Sequence, residues 1–228
     1  MKTNTLSKRR IRRIINCFAS GLTAIDTAHK LKLHRNTVNK YYRLMRDAIV
    51  NNQETILKNH THEELDFEYP LIWHKNKGLS LNHIPEYDDI LFFAIAVDSK
   101  NKTYLKAVKE AEGEAIAAQV LAQPQPTTAS SEDAKAEKQE AENEEKQVEV
   151  PETVRRFYLY AKEKLTKFYG VKPQYTYLYL KELEFRFNNQ DQNISSLCWK
   201  VISQYERKLH NEKAMAKKAK AAAKKSMS

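Results

Sequence analysis

Apolar residues recur at helical spacing near the start of the chain and predict two short helices. Ser7 is the expected cap of the first helix, which ends at Ser20-Gly21, where glycine supplies a left-handed turn. Thr23 is the expected cap of the second helix, with Asp26 as its partner in a short capping box. The apolar positions of the first helix are Ile11, Ile14, Ile15 and Phe18.

A third helix is predicted from about Arg35 to Ile49, after a turn at Lys32-Leu33-His34. Its apolar stripe consists of Val38, Tyr41 or Tyr42, Met45 and Ile49. A small residue in the second helix (Ala28), Leu33 in the turn and Val38 early in the third helix are typical of a helix-turn-helix. Lys32 stands where glycine is usual, and a left-handed backbone there would cost about 1 kcal/mol.

The next segment changes to strand-like runs. The predicted strands are Leu65–Ile72, Ile90–Val97 and Thr103–Val108, with a hairpin loop at residues 99–102 between the last two. The run ILFFAIAV is almost wholly apolar, which predicts a buried central strand. Because three strands alone form a marginal sheet, a covering layer of helices is expected.

Helical periodicity returns after the strands, interrupted by a segment of low complexity. A helix is predicted from Glu110 to Ala122, and residues 123–150 form an acidic segment with almost no large apolar residue, predicted to be a disordered or loosely helical linker. Three further helices are expected: one that contains Val154 and Phe157 and ends at Gly170, one from about Gln174 to Phe187, and one from about Ile194 to His210.

These patterns predict a mainly α protein with a small β component, divided into five segments. They are a helix-turn-helix domain at 1–50, a partial α/β core at 60–122, the acidic linker at 123–150, a C-terminal helical region at 151–210 and a basic tail at 211–228.

Charge separates these segments further. The formal net charge of the 228 residues is +10. Residues 1–50 contain twelve Lys or Arg against two Asp, whereas the stretch from Ser131 to Glu152 is acidic. A positive front end favours a polyanionic partner, and double-stranded DNA is the expected one.

The polar residues of the predicted third helix are not explained by packing. In a docked recognition helix these positions face the major groove, where Arg pairs with guanine and Asn with adenine. The expected base contacts are Arg35, Asn36, Thr37, Asn39 and Lys40. The expected phosphate contacts, which set affinity without selecting sequence, are Arg9, Arg10, Arg12, Arg13 and Arg43.

Several other classes of protein find little support. Cys17 and Cys198 form no CxxC pair and are expected to be reduced core thiols of a cytoplasmic protein, here nucleoid-associated. The histidines at 60, 62, 74 and 83 fit no common zinc spacing, and no phosphate-cradling glycine loop is present. No membrane span or secretory signal is predicted.

Two blocks resemble one family. LSKRRIRRIINCFASGLTAIDTAHKLKLHRNTVNKYYRLMRDAI is similar to the N-terminal domain of bacterial insertion-sequence transposases, and VRRFYLYAKEKLTKFYGVKPQYTYLYLKELEFRFN is similar to their C-terminal end. The run LKELEFRFN is the most specific part. ELDFEYP, ILFFAIAV and the following hairpin resemble the opening three strands of the family's ribonuclease-H-like core.

The resemblance implies three converging acidic residues that hold two Mg²⁺ or Mn²⁺ ions for DNA strand transfer. Asp66 matches the first position, with Glu68 as a nearby substitute. The second would fall in the acidic segment, where Asp133 has no strand to carry it. The third register position is Arg155, one turn after Glu152, and a guanidinium would repel the ions.

The expectation is therefore a transposase or transposase-derived protein that recognises the ends of an insertion sequence, with impaired catalysis. A helix-turn-helix transcriptional regulator without transposase activity is the alternative. DNA binding is expected to need no cofactor. Mg²⁺ or Mn²⁺, with Asp66 as a metal ligand, is expected only if the protein is an active enzyme. The protein could also form a homodimer.

Overall fold

The computed structural model describes residues 6–59, 65, 69–74, 78–81, 90–122, 150–166 and 172–226. Those residues are mainly helical, with a small antiparallel sheet, as the sequence predicts. The helices are α1 Lys8–Ala19, α2 Ala24–Leu31, α3 Arg35–Asn59, α4 Glu110–Ala122, α5 Glu152–Leu165, α6 Pro173–Asn188 and α7 Ile194–Ser226. The strands are β1 Tyr69–His74, β2 Gly78–Leu81, β3 Ile90–Val97 and β4 Thr103–Ala107.

The chain packs as two units that cut across the order of the sequence. Unit 1 consists of Met1–His60 and Leu178–Ser228, and unit 2 of Thr61–Tyr177. Unit 1 therefore combines both ends of the chain, which the segments inferred from composition keep apart.

The caps predicted for α1 and α2 are present. The Ser7 side chain accepts from the backbone N–H of Arg10, and Gly21 ends the first helix with a φ of 74°. Thr23 accepts from the Asp26 N–H at 3.2 Å and donates to the Asp26 carboxylate at 2.6 Å. The bonds from the Arg10 and Asp26 N–H groups satisfy backbone donors that a helix leaves unpaired at its N-terminus.

The core of unit 1 lies between the three N-terminal helices and α7. Its largest contributors from α1 are Ile14, Ile15 and Phe18, and α7 contributes Cys198, Val201 and Ile202. Cys17 and Cys198 are both buried and free, as the sequence predicts. Burial raises the pKa of the Cys198 thiol to about 11, against the opposing effect of the Arg186 charge.

The predicted ends of two helices in unit 1 are wrong. Helix α3 continues ten residues beyond Ile49 to Asn59, and α7 continues beyond His210 to Ser226. Neither extension contains Gly or Pro, so no local signal stops the helix. In α3 the added turns are also held by tertiary contacts, because Gln53 is buried.

Unit 2 is built on a four-stranded antiparallel sheet with the order β2-β1-β3-β4. Strand β3 matches the predicted central strand, and the β3–β4 hairpin turns at residues 98–102. Asp98 holds that turn because its carboxylate accepts from the N–H groups of Lys100 and Lys102. Strand β1 pairs with β2 on one side and with β3 on the other, and this antiparallel arrangement does not by itself identify a ribonuclease-H-like core.

Two strand predictions need correction. Strand β1 runs two residues past the predicted end at Ile72, and Leu65 is outside it. Strand β2 was not predicted, because GLSL contains only two apolar residues in a very short alternation. Strand β4 ends at Ala107, one residue before the predicted end.

Helices cover the sheet of unit 2 as expected. Residues 92–96 of β3 are all buried, so both faces of the central strand are covered. Helix α4 packs on β1 and β3, with Gly113 against Phe92, and α5 packs along β2, β3 and β4. Tyr177, at the start of α6, stacks on Phe93 with ring centroids 6.3 Å apart.

Helix α5 is described as far as Leu165, and the end predicted at Gly170 lies outside the described residues. The predicted helix from Gln174 to Phe187 corresponds closely to α6.

Candidate nucleic-acid interface

Helix α3 has a buried face and a polar face at its N-terminal end. Val38, Tyr42 and Met45 recur at i, i+4 and i+7 and are buried in the core of unit 1. The polar face, called the α3 polar face below, consists of Arg35, Asn36, Thr37, Asn39, Lys40 and Arg43. All six are exposed except Thr37, which is half-buried.

The backbone at the start of α3 adds to this positive surface. The first turn contains no acidic residue, so the partial positive charge of the helix N-terminus is not offset there. His34 Nδ1 accepts from the Asn36 N–H at 3.2 Å, which caps one of the free donors. Cationic side chains and the helix terminus therefore attract anions to the same place.

The turn between α2 and α3 depends on a strained lysine. Lys32 adopts φ 52° and ψ 52°, the left-handed conformation that the sequence analysis anticipated for this position. The N–H of Leu33 then donates to the Ala28 carbonyl at 2.9 Å and closes the end of α2. The turn brings Leu33, which is half-buried, against the core cluster.

A buried tyrosine fixes α3 against α2. The Tyr42 hydroxyl donates to the Leu22 carbonyl at 2.9 Å and lies 2.7 Å from the Thr27 hydroxyl, so the Thr27 O–H donates to it. The sequence left Tyr41 and Tyr42 as alternatives for the inner stripe, and the structure buries Tyr42. Burial raises the pKa of Tyr42 to about 12, although the hydrogen bond with Thr27 opposes the shift.

The four arginines predicted to contact phosphates all lie exposed on α1. They are Arg9, Arg10, Arg12 and Arg13. The Arg12 guanidinium lies 5.1 Å from the ring centroid of Trp199, a cation–π distance, so its head group is placed at the junction of α1 and α7.

A charge network that the sequence analysis did not identify holds the middle of α3. Arg46 Nε donates to Glu182 Oε2 at 2.7 Å, and its guanidinium lies 3.9 Å from the Tyr179 ring centroid. Glu182 also pairs with Arg186, which donates to the carbonyls of Phe18 and Ala19 at the end of α1. Arg186 therefore caps α1 while Glu182 joins it to α3.

A second buried pair lies on the same stretch of α6. Lys181 and Glu184 have no exposed side-chain surface, and their charged atoms are 2.8 Å apart. The Gln53 amide on α3 donates to Glu184 at 2.9 Å. The signal for both networks was present in LKELEFRFN, where charged and apolar residues alternate too closely for one face of the helix to be solvated.

The residues considered for catalysis are only partly described. Asp66, Glu68 and Asp133 lie outside the described residues. Arg155 and Glu152 are exposed in the first turn of α5. Within the described ranges, no three His, Cys, Asp or Glu side chains gather where a metal ion could be held. The described residues therefore supply no ligand set for the Mg²⁺ or Mn²⁺ that the resemblance implies, and no catalytic step is derived from them.

Comparison of the chain with protein-family models, curated proteins and solved structures finds no match. In the part of the chain that the structure describes, no helix combines the length and apolarity that crossing a bilayer requires.

Proposed function

We propose that unit 1 binds double-stranded DNA by docking the N-terminal half of α3 in the major groove, as a helix-turn-helix protein does. The observation that carries the proposal is the α3 polar face: six polar side chains in the first turns of a helix whose other side is a buried stripe, with Asn36, Lys40 and Arg43 opposite that stripe. Arg35, Asn36, Asn39 and Lys40 are all exposed, so their side chains are accessible to a partner.

The residue types on this face suit base recognition. Arg35 can pair with guanine, and Asn36 and Asn39 each offer a donor and an acceptor that match the adenine edge. The cations Lys40 and Arg43, with the arginines of α1, add sequence-independent attraction to phosphates. The bond between Tyr42 and Leu22 and the pairing of Arg46 with Glu182 hold the helix at a defined angle, which base contacts need.

The more specific proposal is a transposase-derived protein of an insertion sequence that recognises element ends, with impaired catalysis. It is supported by the resemblance of two blocks at opposite ends of the chain. Their most distinctive run, residues 180–188, belongs to the same unit as the first block and pairs with it through Arg46 and Glu182. This arrangement gives a physical reason for the two blocks to occur together.

The test of DNA binding starts from a pool of random-sequence duplexes. The full chain is used to select bound sequences, and its affinity for the selected duplex is measured by fluorescence anisotropy at several salt concentrations. We expect a defined preferred sequence and an affinity that falls steeply with salt. Absence of any salt-dependent binding to duplex would remove the proposal.

Two variants locate the contact on α3. The double variant N39A/K40A should bind the selected duplex more weakly and should discriminate less between this duplex and other sequences. Lys58→Ala is the matched control, because Lys58 is an exposed cation of the same helix about 27 Å from Lys40 along the axis. Equal losses in both variants would show that only net charge matters.

The selected sequence then distinguishes a transposase-derived protein from a transcriptional regulator. A match to the terminal inverted repeats that flank the gene would support the transposase-derived protein, whereas a palindrome in the gene's own promoter would support a transcriptional regulator. Incubation of labelled element ends with Mg²⁺ or Mn²⁺, with Asp66→Ala as control, tests retained catalysis. Cleavage that the substitution abolishes would contradict the impaired catalysis proposed here.

A further inference from the structure

The second half of α7 carries a row of lysines that the docking of α3 does not use. The helix continues from its buried residues Val201 and Ile202 to Ser226 without interruption. Residues 210–216 are all exposed, so the helix has left the core of unit 1 before its lysine-rich part begins. From residue 207 to the end, the sequence has eight Lys or Arg and one acidic residue, Glu212.

Helical register places four of these lysines on one face. Lys213, Lys217, Lys220 and Lys224 follow at intervals of four, three and four residues, and are called the α7 lysine stripe below. The spacing keeps them within a narrow arc over about 16 Å of helix. Lys218 and Lys225 fall on a different side of the same helix, roughly 120° away.

We propose that the α7 lysine stripe binds the phosphate backbone of duplex DNA as a second contact surface, outside the bases contacted by α3. The inference rests on the proposed function of unit 1. Charge complementarity identifies the partner: duplex DNA carries one negative charge per about 1.7 Å of its axis, so a stripe of this length faces about ten charges. Lysine binds phosphate as a point charge and does not discriminate between bases.

The composition of the helix favours nucleic acid over an anionic membrane. A helix that lies in a membrane interface needs a face of large apolar residues such as Trp, Phe or Leu. Between residues 213 and 226 the positions that are not lysine are alanine, apart from Met215 and Ser226. Alanine favours the helix but provides little apolar area to bury in lipid.

The stripe is separated from the α3 polar face. Lys208 on α7 donates to the side chain of Asn51 on α3, which lies about 16 Å along the helix from Lys40. Along α7 the stripe begins at Lys213, beyond this contact with Asn51. Its contribution to affinity should not depend on the DNA sequence.

The experiment compares the full chain with two variants on a labelled random-sequence duplex, between about 50 and 200 mM salt. The test variant is K213Q/K217Q/K220Q/K224Q, and the control is K218Q/K225Q. Glutamine has a helix propensity close to that of lysine, and circular dichroism checks that the helix content is kept. We expect the test variant to lower the slope of log affinity against log salt by about 3 to 4, and the control by less than about 1. Both should select the same preferred sequence as the parent chain.

Each other outcome has a distinct meaning. If the parent chain shows no salt-dependent binding, the proposed function itself fails. If the parent binds and the test variant keeps its slope, the stripe is not a DNA contact, although the function of α3 stands. If the salt slope falls by the same amount per substituted lysine in the test and control variants, the effect comes from net charge and the proposed stripe is wrong. If the parent chain sediments with phosphatidylserine vesicles, the test variant does not, and the salt slope on duplex DNA is the same for both, the partner of the stripe is an anionic membrane and not DNA.

Discussion

Arg46 and Glu182 are 136 positions apart in the sequence, yet Arg46 Nε and Glu182 Oε2 lie 2.7 Å apart. Both side chains are about nine-tenths buried, with 11% and 7% of their surface exposed. The pair joins the middle of α3 to α6, and Arg186 extends the same network to the end of α1. The N-terminal helices of unit 1 therefore depend on a segment from the far end of the chain.

Replacing one partner of this network should destabilise the protein strongly. Arg46→Met would leave the buried Glu182 with Arg186 as its remaining cation, and we expect a loss of about 2 to 4 kcal/mol in the free energy of unfolding. Urea denaturation measures the change. The triple variant R46M/E182L/R186M replaces all three charged groups by apolar ones, so that no buried charge is left unpaired, and should recover part of the loss. A single variant within about 0.5 kcal/mol of the parent would contradict the importance of the pair.

Tyr42 should make stability depend on alkaline pH. Its pKa is about 12 in the folded chain and 10.0 ordinarily, because burial penalises the phenolate. Between these values the unfolded chain has lost the proton that the folded chain retains, so the free energy of unfolding falls as pH rises. Tyr42→Phe should remove this part of the pH dependence.

The same substitution should also cost stability at neutral pH. Tyr42→Phe removes the bond to the Leu22 carbonyl and leaves the fully buried Thr27 hydroxyl without its partner, a loss of about 1 to 2 kcal/mol. Urea midpoints near neutral pH and near pH 11 measure both effects, and Thr27→Val provides the second arm of a double-mutant cycle. The interpretation is wrong if Tyr42→Phe shows the pH dependence of the parent chain.

Lys32 offers a substitution that should stabilise the protein. Its φ of 52° costs a side-chain-bearing residue about 1 kcal/mol that glycine does not incur, so Lys32→Gly should raise the free energy of unfolding by about that amount. Lys32→Ala is the control, because it removes the charge and keeps the strain. Equal stabilisation by both variants would assign the effect to charge. The measurement is again urea denaturation.

Gly113 should not tolerate a larger residue. A Cβ added at this position of α4 would overlap the ring of Phe92 on β3, which is 5% exposed. Although alanine favours a helix by about 1 kcal/mol over glycine, we expect the overlap to dominate and Gly113→Ala to destabilise unit 2 by about 1 to 3 kcal/mol. In a Phe92→Ala background the cost should shrink, because alanine lacks the Cγ and Cδ1 atoms that the added Cβ would overlap. Thermal unfolding of the four chains tests this, and an unchanged cost would contradict the close contact.

Substitutions of base-contacting and phosphate-contacting residues should have different effects on DNA binding. Arg35→Ala should cost about 1 to 3 kcal/mol on the selected duplex and relax the preference at one base pair. Arg9→Ala should weaken binding about equally on all sequences and reduce the salt slope by about 1. Anisotropy titrations against the selected duplex and its single-base variants measure both. If the loss of affinity in Arg9→Ala depends on the DNA sequence, Arg9 contacts a base and its assignment to phosphate is wrong.

The sequence by itself determined the elements whose causes are local. Ser7 and Thr23 cap the helices they precede, Gly21 turns the chain, and Asp98 closes the hairpin with its own neighbours. Each of these depends on groups a few residues apart, so pattern and propensity suffice. The polar face of α3 was likewise visible, because the buried stripe that defines it has helical spacing.

Only the tertiary structure decided the features that join distant residues. It buried Tyr42 and left Tyr41 half-exposed, because Leu22 and Thr27 offer partners to one hydroxyl. It also placed Lys181 and Glu184 in the interior, where their mutual pairing and Gln53 compensate for lost hydration. Local pattern cannot foresee such burial, since a charge leaves water only when a partner elsewhere in the chain replaces the hydration.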